Sequence, residues 1–259
     1  MAGLTGKTPS ATYRDILQVD NGNLGIDDTL RQIKDGVGDG SCFYLETNSV
    51  KIKPEADDTA VLDIHDKDGN SKFKVDTNND LITAIGHYTN TQYAYFGSSS
   101  TDAIPASSGN HYAIPFGNTF ASSADVGLGT GTNPDTTLTV STTADDVTPM
   151  MWFIPDNITV DAVHAWIAGN ASTGDTIKLH LMTYDIVTAD GSTCGDLSSG
   201  TVVADGADIT HDGYEQMDYQ SLTIQSANID SGNVCLFTLH SGGTNSDYAV
   251  NVTVKYHLR

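Results

Sequence analysis

With 259 residues, the chain is long enough for one large β domain, or for a domain of about 150–180 residues plus an arm. Hydrophobic residues make up 38% and charged residues 17%, and 25 glycines stand among abundant Ser, Thr, Asn and Asp. That composition fits strands joined by turns and excludes a helix bundle, and apolar runs that recur to the last residues exclude a disordered chain. The net charge is −21, with 9 basic and 13 acidic residues in 1–74 but 3 and 20 in 75–259, which sets the protein against phosphate backbones and anionic lipid.

No run of about 18 apolar residues is present, so no membrane insertion is expected. Residues 1–7 lack the apolar core of a signal peptide. The cysteines Cys42, Cys194 and Cys235 are odd in number and far apart, with no Cys-x-x-Cys. Neither a zinc knuckle nor a disulfide framework is indicated, and reduced thiols in a protein made in a cytoplasm are the simplest expectation.

Residues 1–42 carry few apolar side chains, Tyr13, Ile16, Leu17, Val19, Leu30 and Ile33 among them, and many glycines. Residues 28–34 fit one or two helical turns or a short strand, and Asp35-Gly36-Val37-Gly38-Asp39-Gly40 breaks any element. Such an arm buries no core alone; it is expected to lie on its own trimer or to order on a partner.

Residues 43–86 read as short strands and hairpins. Val61-Leu62-Asp63-Ile64-His65, a turn at Asp66-Lys67-Asp68-Gly69-Asn70, and Ser71-Lys72-Phe73-Lys74-Val75-Asp76 form a strand, turn, strand signal. Leu62 and Ile64 share one face, as do Phe73 and Val75. The apolar content is too thin for a free-standing domain, but two or three such faces brought together make a core.

Residues 87–259 offer strands at 91–97, 110–116, 136–142, 148–154, 158–168, 175–187, 200–204, 218–225, 233–240 and 247–258. The last is the cleanest, with Tyr248, Val250, Val252, Val254, Tyr256 and Leu258 alternating with Ala249, Asn251, Thr253, Lys255 and His257. In 158–168, Ile158, Val160, Ala162, His164 and Trp166 share one face and Val163, Ala165 and Ile167 the other, the pattern of a central strand. So many strands suit a two-sheet sandwich or jelly roll.

These residues carry a resemblance. Residues 61–86, with Asp68-Gly69-Asn70, Phe73-Lys74-Val75-Asp76 and a closing Gly86, resemble the short repeat of trimeric bacteriophage fibres, present once here instead of in a long shaft. The start, Tyr13-Arg14-Asp15-Ile16-Leu17-Gln18-Val19-Asp20-Asn21 with Thr29-Leu30-Arg31-Gln32-Ile33-Lys34-Asp35-Gly36, resembles the N-terminal segment of structural proteins from marine tailed phages. Asp175-Thr176-Ile177-Lys178-Leu179-His180-Leu181 and Asp196-Leu197-Ser198-Ser199-Gly200 are similar to the jelly-roll heads of the same proteins.

Candidate chemistry is sparse. Asp66-Lys67-Asp68-Gly69-Asn70 has the start of a calcium loop but no Glu at the twelfth position, and reads as a hairpin turn. No two of the eight histidines lie within four residues of each other, although strand pairing could join His164 and His180. His211-Asp212-Gly213-Tyr214-Glu215 mixes acid and base groups, and Gly127-Leu128-Gly129-Thr130-Gly131-Thr132 reads as a linker or turn because it lacks the Lys of a phosphate loop. The aromatics Tyr88, Tyr93, Tyr95, Phe96, Tyr112, Phe116 and Phe120 stack on sugar if exposed, or close a core or trimer interface if buried; burial is favoured.

The expectation is an all-β, non-enzymatic virion structural protein without cofactor or metal: an extended anchor arm (1–42), a short trimeric β-hairpin stem (43–86) and a jelly-roll β-sandwich head (87–259). Tyr13, Ile16, Leu17, Val19, Leu30 and Ile33 would anchor it to a phage major capsid protein or tail protein, and Leu62, Ile64, Phe73 and Val75 would join the stem of a homotrimer. It would be assembled in the host cytoplasm and carried on the virion, with no nucleic-acid partner. The short anchor and single repeat favour capsid decoration. The alternative is a tail fibre whose head binds a glycan or protein of the host surface; an enzyme such as a depolymerase is the weakest reading.

Overall fold

The computed structural model describes residues 17–22, 24–85, 87–98, 104–105, 109–117, 126–140, 143–170, 174–210, 212–242 and 247–259. Nearly every regular element is a strand, and the chain divides into two units, residues 1–89 and 90–259. Each is described by itself.

The first unit holds two antiparallel meanders. One is β1 (Gln18–Val19), β2 (Arg31–Lys34), β3 (Gly40–Leu45) and β4 (Val50–Ile52), in that order across the sheet. The other is β5 (Leu62–His65), β6 (Ser71–Asp76), β7 (Leu81–Ala84) and β8 (His87–Tyr88), also in sequence order. Short-range turn chemistry sets the hairpins. Asp66 Oδ1 accepts the N–H groups of Asp68 and Asn70, both at 2.9 Å, and Gly69 takes the positive φ (+83°) that the turn needs. At the next turn, Asp76 Oδ1 accepts the N–H groups of Asn78 and Asn79.

The expected boundary at 42/43 falls inside β3. The described part of 1–42 is therefore not an extended arm: β1, β2 and the start of β3 form a ladder of their own. Along it Arg31 pairs with Asp27 (2.9 Å) and Lys34 with Asp20 (2.8 Å).

The second unit contains two sheets. Its strands are β9 (Thr91–Ser98), β10 (Ile104–Pro105), β11 (His111–Ile114), β12 (Trp152–Phe153), β13 (Ile158–Asn170), β14 (Thr176–Ile186), β15 (Leu197–Asp205), β16 (Ile209–Thr210), β17 (Glu215–Ser221), β18 (Thr223–Ile224), β19 (Asn228–Ile229), β20 (Asn233–Ser241) and β21 (Asp247–Leu258). In the first sheet β21 lies between β9 and β13, and β17 pairs with the far side of β13. In the second, the order is β11, β20, β14, β15, β18. All pairs are antiparallel.

Between the sheets lies one apolar core. Phe96, Val163, Ala165, Ile167, Val250, Val252 and Val254 of the first sheet meet Ile177, Leu179, Leu181, Phe237 and Leu239 of the second. The alternation read along 247–258 is borne out from Tyr248 to Val254, all buried. It departs at His257, which is buried with Nδ1 2.9 Å from Asp161 Oδ1.

Asp161 sits in a β-bulge of β13 between Val160 and Ala162. The extra residue flips the pleat, so Ile158 and Val160 point inward before it, and Val163, Ala165 and Ile167 after it. β13 is central, as expected, but its two apolar faces arise from the bulge; Trp166 faces solvent.

The second sheet has a further core on its other face. Ala113, Met182, Tyr184, Val234 and Leu236 pack there against Val126, Leu128, Val140, Val147 and Met150. The Gly-rich segment 127–132 is thus no linker: Leu128 N–H bonds to His111 O and His111 N–H to Gly129 O. Of 136–142, expected as strand, 141–142 lie outside the described residues and 136–140 make one isolated bridge, Leu138 to Leu197. Residues 148–154 begin as a 3₁₀ turn (Thr148–Met150) after the short helix Ala144–Val147, and the strand is confined to Trp152–Phe153.

Candidate functional site

Three surfaces or clusters are candidates for a functional site, and the first is the β5–β7 sheet. Register places Leu62 opposite Val75 and Val75 opposite Ile82; the next row is Ile64, Phe73 and Ala84. The four residues expected to form the stem are therefore brought onto one face, enlarged by Ile82 and Ala84. Ile64 and Ile82 are exposed and the other four half-buried. Among the described residues of this unit only Asp76 is buried, and the buried apolar set begins at Ala94. The opposite face carries Asp63 and Lys74, directly opposed.

Charge is settled locally in this unit. Asp66 is held down to about 2 by the backbone and side chain of Asn70 and by Lys72. His65 is raised, because its Nε2 lies 2.9 Å from Asp63 Oδ2 and its Nδ1–H donates to Gly69 O at 2.8 Å. The Asp66–Asn70 segment is thus a closed hairpin turn.

Of the expected anchoring residues, Tyr13 and Ile16 lie outside the described residues. Leu17 is exposed, Val19 is half-buried directly opposite half-buried Ile33, and Leu30 is half-buried just before β2.

The second surface is the outward face of the β9–β21–β13–β17 sheet. Trp166 stands opposite Tyr219 on one side and Asn251 on the other. One row along, His164 stands opposite Ser221 and Thr253, and Thr253 opposite Tyr95. Lys255 and Tyr93 form a further pair. Trp166 is 48% and Tyr219 52% exposed, and Tyr93 and Tyr95 are also exposed. The rings are ordered: Trp166 and Tyr219 have centroids 5.1 Å apart, His164 stacks on Tyr219 at 6.0 Å and 16°, and Tyr219 Oη lies 2.9 Å from His164 Nδ1. The expected aromatic cluster is thereby split. Phe96 and Tyr112 are buried, Phe116 stacks on Trp152, Tyr88 belongs to the first unit, and Phe120 lies outside the described residues.

Third is a histidine cluster on the second sheet. His164 and His180 are not joined, since β13 and β14 lie in different sheets. Instead β11, β20 and β14 bring together His111, His240 and His180, with ring centroids of 5.0 Å for His111–His180 and 4.5 Å for His111–His240. His111 and His180 are fully buried. His111 Nε2–H donates to Gly131 O at 2.9 Å, while its Nδ1, both His180 nitrogens and Thr238 Oγ1 make no protein hydrogen bond. Burial, then the adjoining His111, lowers His180 to about 4, and burial lowers His111 and His240 as well. Among the described residues no three His, Cys, Asp or Glu side chains are arranged to hold a metal ion.

Sequence reading missed the histidine cluster and the Trp166–Tyr219 pair. Trp166 and Tyr219 lie 53 positions apart, and only the strand register unites them. Of the acid–base loop, His211 lies outside the described residues, and Asp212 Oδ1 accepts the N–H of Tyr214. The three cysteines are free thiols, and burial pushes Cys235 up to about 12. No known family model matches the chain, and no curated protein is similar to it in sequence.

Proposed function

We propose that the protein is a non-enzymatic virion structural protein, a homotrimeric decoration or fibre protein seated on a phage capsid through its N-terminal residues. The observation that carries this reading is the apolar face of β5–β7, with Leu62, Ile64, Phe73, Val75, Ile82 and Ala84 in two registered rows and no buried apolar residue among the described residues of the unit. A single-layer sheet gains stability only when such a face is covered. Copies of the same chain supply matching faces, and the resemblance of residues 61–86 to the trimeric fibre repeat makes three the number.

Strand order supports a jelly-roll head. Taking β9, β11, β13, β14, β15, β17, β20 and β21 as first to eighth, one sheet runs first, eighth, third, sixth and the other second, seventh, fourth, fifth. That order matches the interleaved Greek keys of a jelly roll. The outward aromatic face favours a second reading, a tail fibre whose head meets the host surface.

Light scattering on the full chain tests the trimer, with an expected mass of three chains; a monomer at micromolar concentration overturns it. Antibody labelling of purified particles then separates the sites: label over the capsid supports decoration, and label confined to the tail supports the second reading.

A further inference from the structure

The outward face of the β9–β21–β13–β17 sheet has the chemistry of a ligand platform. On the other side of the same strands, Phe96, Val163, Ile167, Val252 and Val254 fill the core. That packing fixes the backbone and leaves the alternate residues as a rigid display. Two aromatic groups stand on it: the Trp166–Tyr219 pair, braced by His164, and Tyr93 with Tyr95 on β9. β21 runs between them and turns outward Asn251, Thr253 and Lys255. Adjacent strands lie about 4.8 Å apart, so β9 and β13 stand roughly 10 Å from each other across this polar strip.

A ligand that fits is amphipathic on the same scale, with flat apolar C–H faces for the rings and hydroxyl groups for the amide and hydroxyl between them. Sugars in a chain have that character. Charge selects among them: residues 75–259 hold 3 basic and 20 acidic residues, so an acidic glycan is repelled and an uncharged one is not. A second copy of the chain fits less well, because the middle of the face is polar and includes a lysine, whereas the centre of a protein interface is depleted of lysine.

We propose that this face binds a neutral oligosaccharide, with Trp166 and Tyr219 stacking on one sugar ring, Tyr95 on another, and Asn251 and Thr253 bonding hydroxyl groups between them. His164 is a positioning residue: its hydrogen bond to Tyr219 holds that ring in place. The inference rests on the head's own surface and holds whether the protein sits on capsid or tail.

The full chain is titrated with cellohexaose, mannohexaose and N-acetylchitohexaose, with a polygalacturonate oligomer as the acidic control. Tryptophan fluorescence and calorimetry give the readout. The chain has two tryptophans; Trp152 is buried and Trp166 is open, so a ligand on this face acts on Trp166. Saturable binding of at least one neutral probe is expected, weakened about tenfold or more in Tyr219→Ala and in Tyr95→Ala with the melting temperature retained. Trp166→Ala, read by calorimetry, weakens it likewise, and Trp152→Phe leaves it intact. Failure of all three neutral probes to bind, unchanged binding in the Tyr219→Ala and Tyr95→Ala variants, or tighter binding of the acidic control overturns the proposal. So does a Trp166 emission shift that follows protein concentration without sugar, which makes the face a contact between copies. The mass of the assembly is measured in the same samples, so loss of sugar binding with three chains intact leaves the virion reading standing.

Discussion

Ile64 and Val252 occupy the same kind of position: each is an apolar residue alternating with polar ones in a strand of an antiparallel sheet. Ile64 is 52% exposed and Val252 fully buried. The first unit spends its strands on single layers, whose apolar rows face outward for want of a second layer. The second packs one sheet against another and then covers the outer face of that second sheet with Val126, Leu128, Val140, Val147 and Met150. An alternating pattern therefore specifies which face of a strand is apolar, and says nothing of whether the cover comes from the same chain.

The comparison breaks most visibly at Val252. Val252→Asp puts a carboxylate into a dry two-sheet core and is expected to cost about 4 kcal/mol or more. Both tryptophans lie in the second unit, so their fluorescence follows its unfolding alone. A variant that melts like the parent refutes the placement of β21 in the core.

The counterpart in the first unit is Ile64→Asp, which places one charge on each copy's apolar face beside Phe73. On the proposed trimer, the expected loss is assembly, not the fold of the second unit: the mass falls from three chains to one, while the tryptophan melt moves by less than about 1 kcal/mol. A trimer that survives Ile64→Asp has its interface elsewhere.

Acid separates the units further. His180 is buried and neutral, with a pKa of about 4 in the fold against 6.5 unfolded. Between those values the unfolded chain takes up the proton and the folded chain does not. Stability of the second unit therefore falls as pH drops from about 6.5 to about 4, by on the order of 3 kcal/mol. His65 in the first unit behaves oppositely. Its raised pKa makes the Asp63 contact fully present below 6.5 and lost as pH rises through the folded value. Asp66, at about 2, withdraws its contribution only as pH falls from 3.8 through that value. A tryptophan melt series from pH 7 to 4.5, repeated on His180→Leu, is expected to show a shallower slope in the variant; equal slopes refute the role of His180.

How much of this was legible in the sequence follows the range of the interactions. The hairpin at Asp66–Asn70 and the shared face of Leu62, Ile64, Phe73 and Val75 are written within 15 residues and were readable. So was the strand 247–258, because six apolar residues alternate without a break. The bulge at Asp161 was not, since one inserted residue in a long apolar run is indistinguishable from a strand buried on both sides. The histidine cluster and the Trp166–Tyr219 pair depend on which strands become neighbours, which no local pattern encodes. Residues 136–140 misled because Thr and Leu in alternation look like a strand, while in the fold Leu138 only bridges to Leu197 and Val140 fills the second core.

The smallest expected effect lies one residue from the largest. Thr253 turns outward between Tyr95 and His164, next in sequence to fully buried Val252. Thr253 is half-buried on the solvent side of the sheet, so Thr253→Asp puts the new carboxylate within reach of water, near the outward Lys255 on the same strand, and not in the core. Substitutions of that kind fall within about 0.5 kcal/mol, which for a unit of this size is a shift of at most about 2 °C. A charge on this face nonetheless sits in the middle of the polar strip, where an uncharged ligand's hydroxyl groups would bond. Comparing Val252→Asp with Thr253→Asp in one set of tryptophan melts thus reads the register of β21 directly. A larger loss at Thr253 than at Val252 would put the strand one residue out of step, with its apolar row facing solvent and Asn251, Thr253 and Lys255 turned into the core.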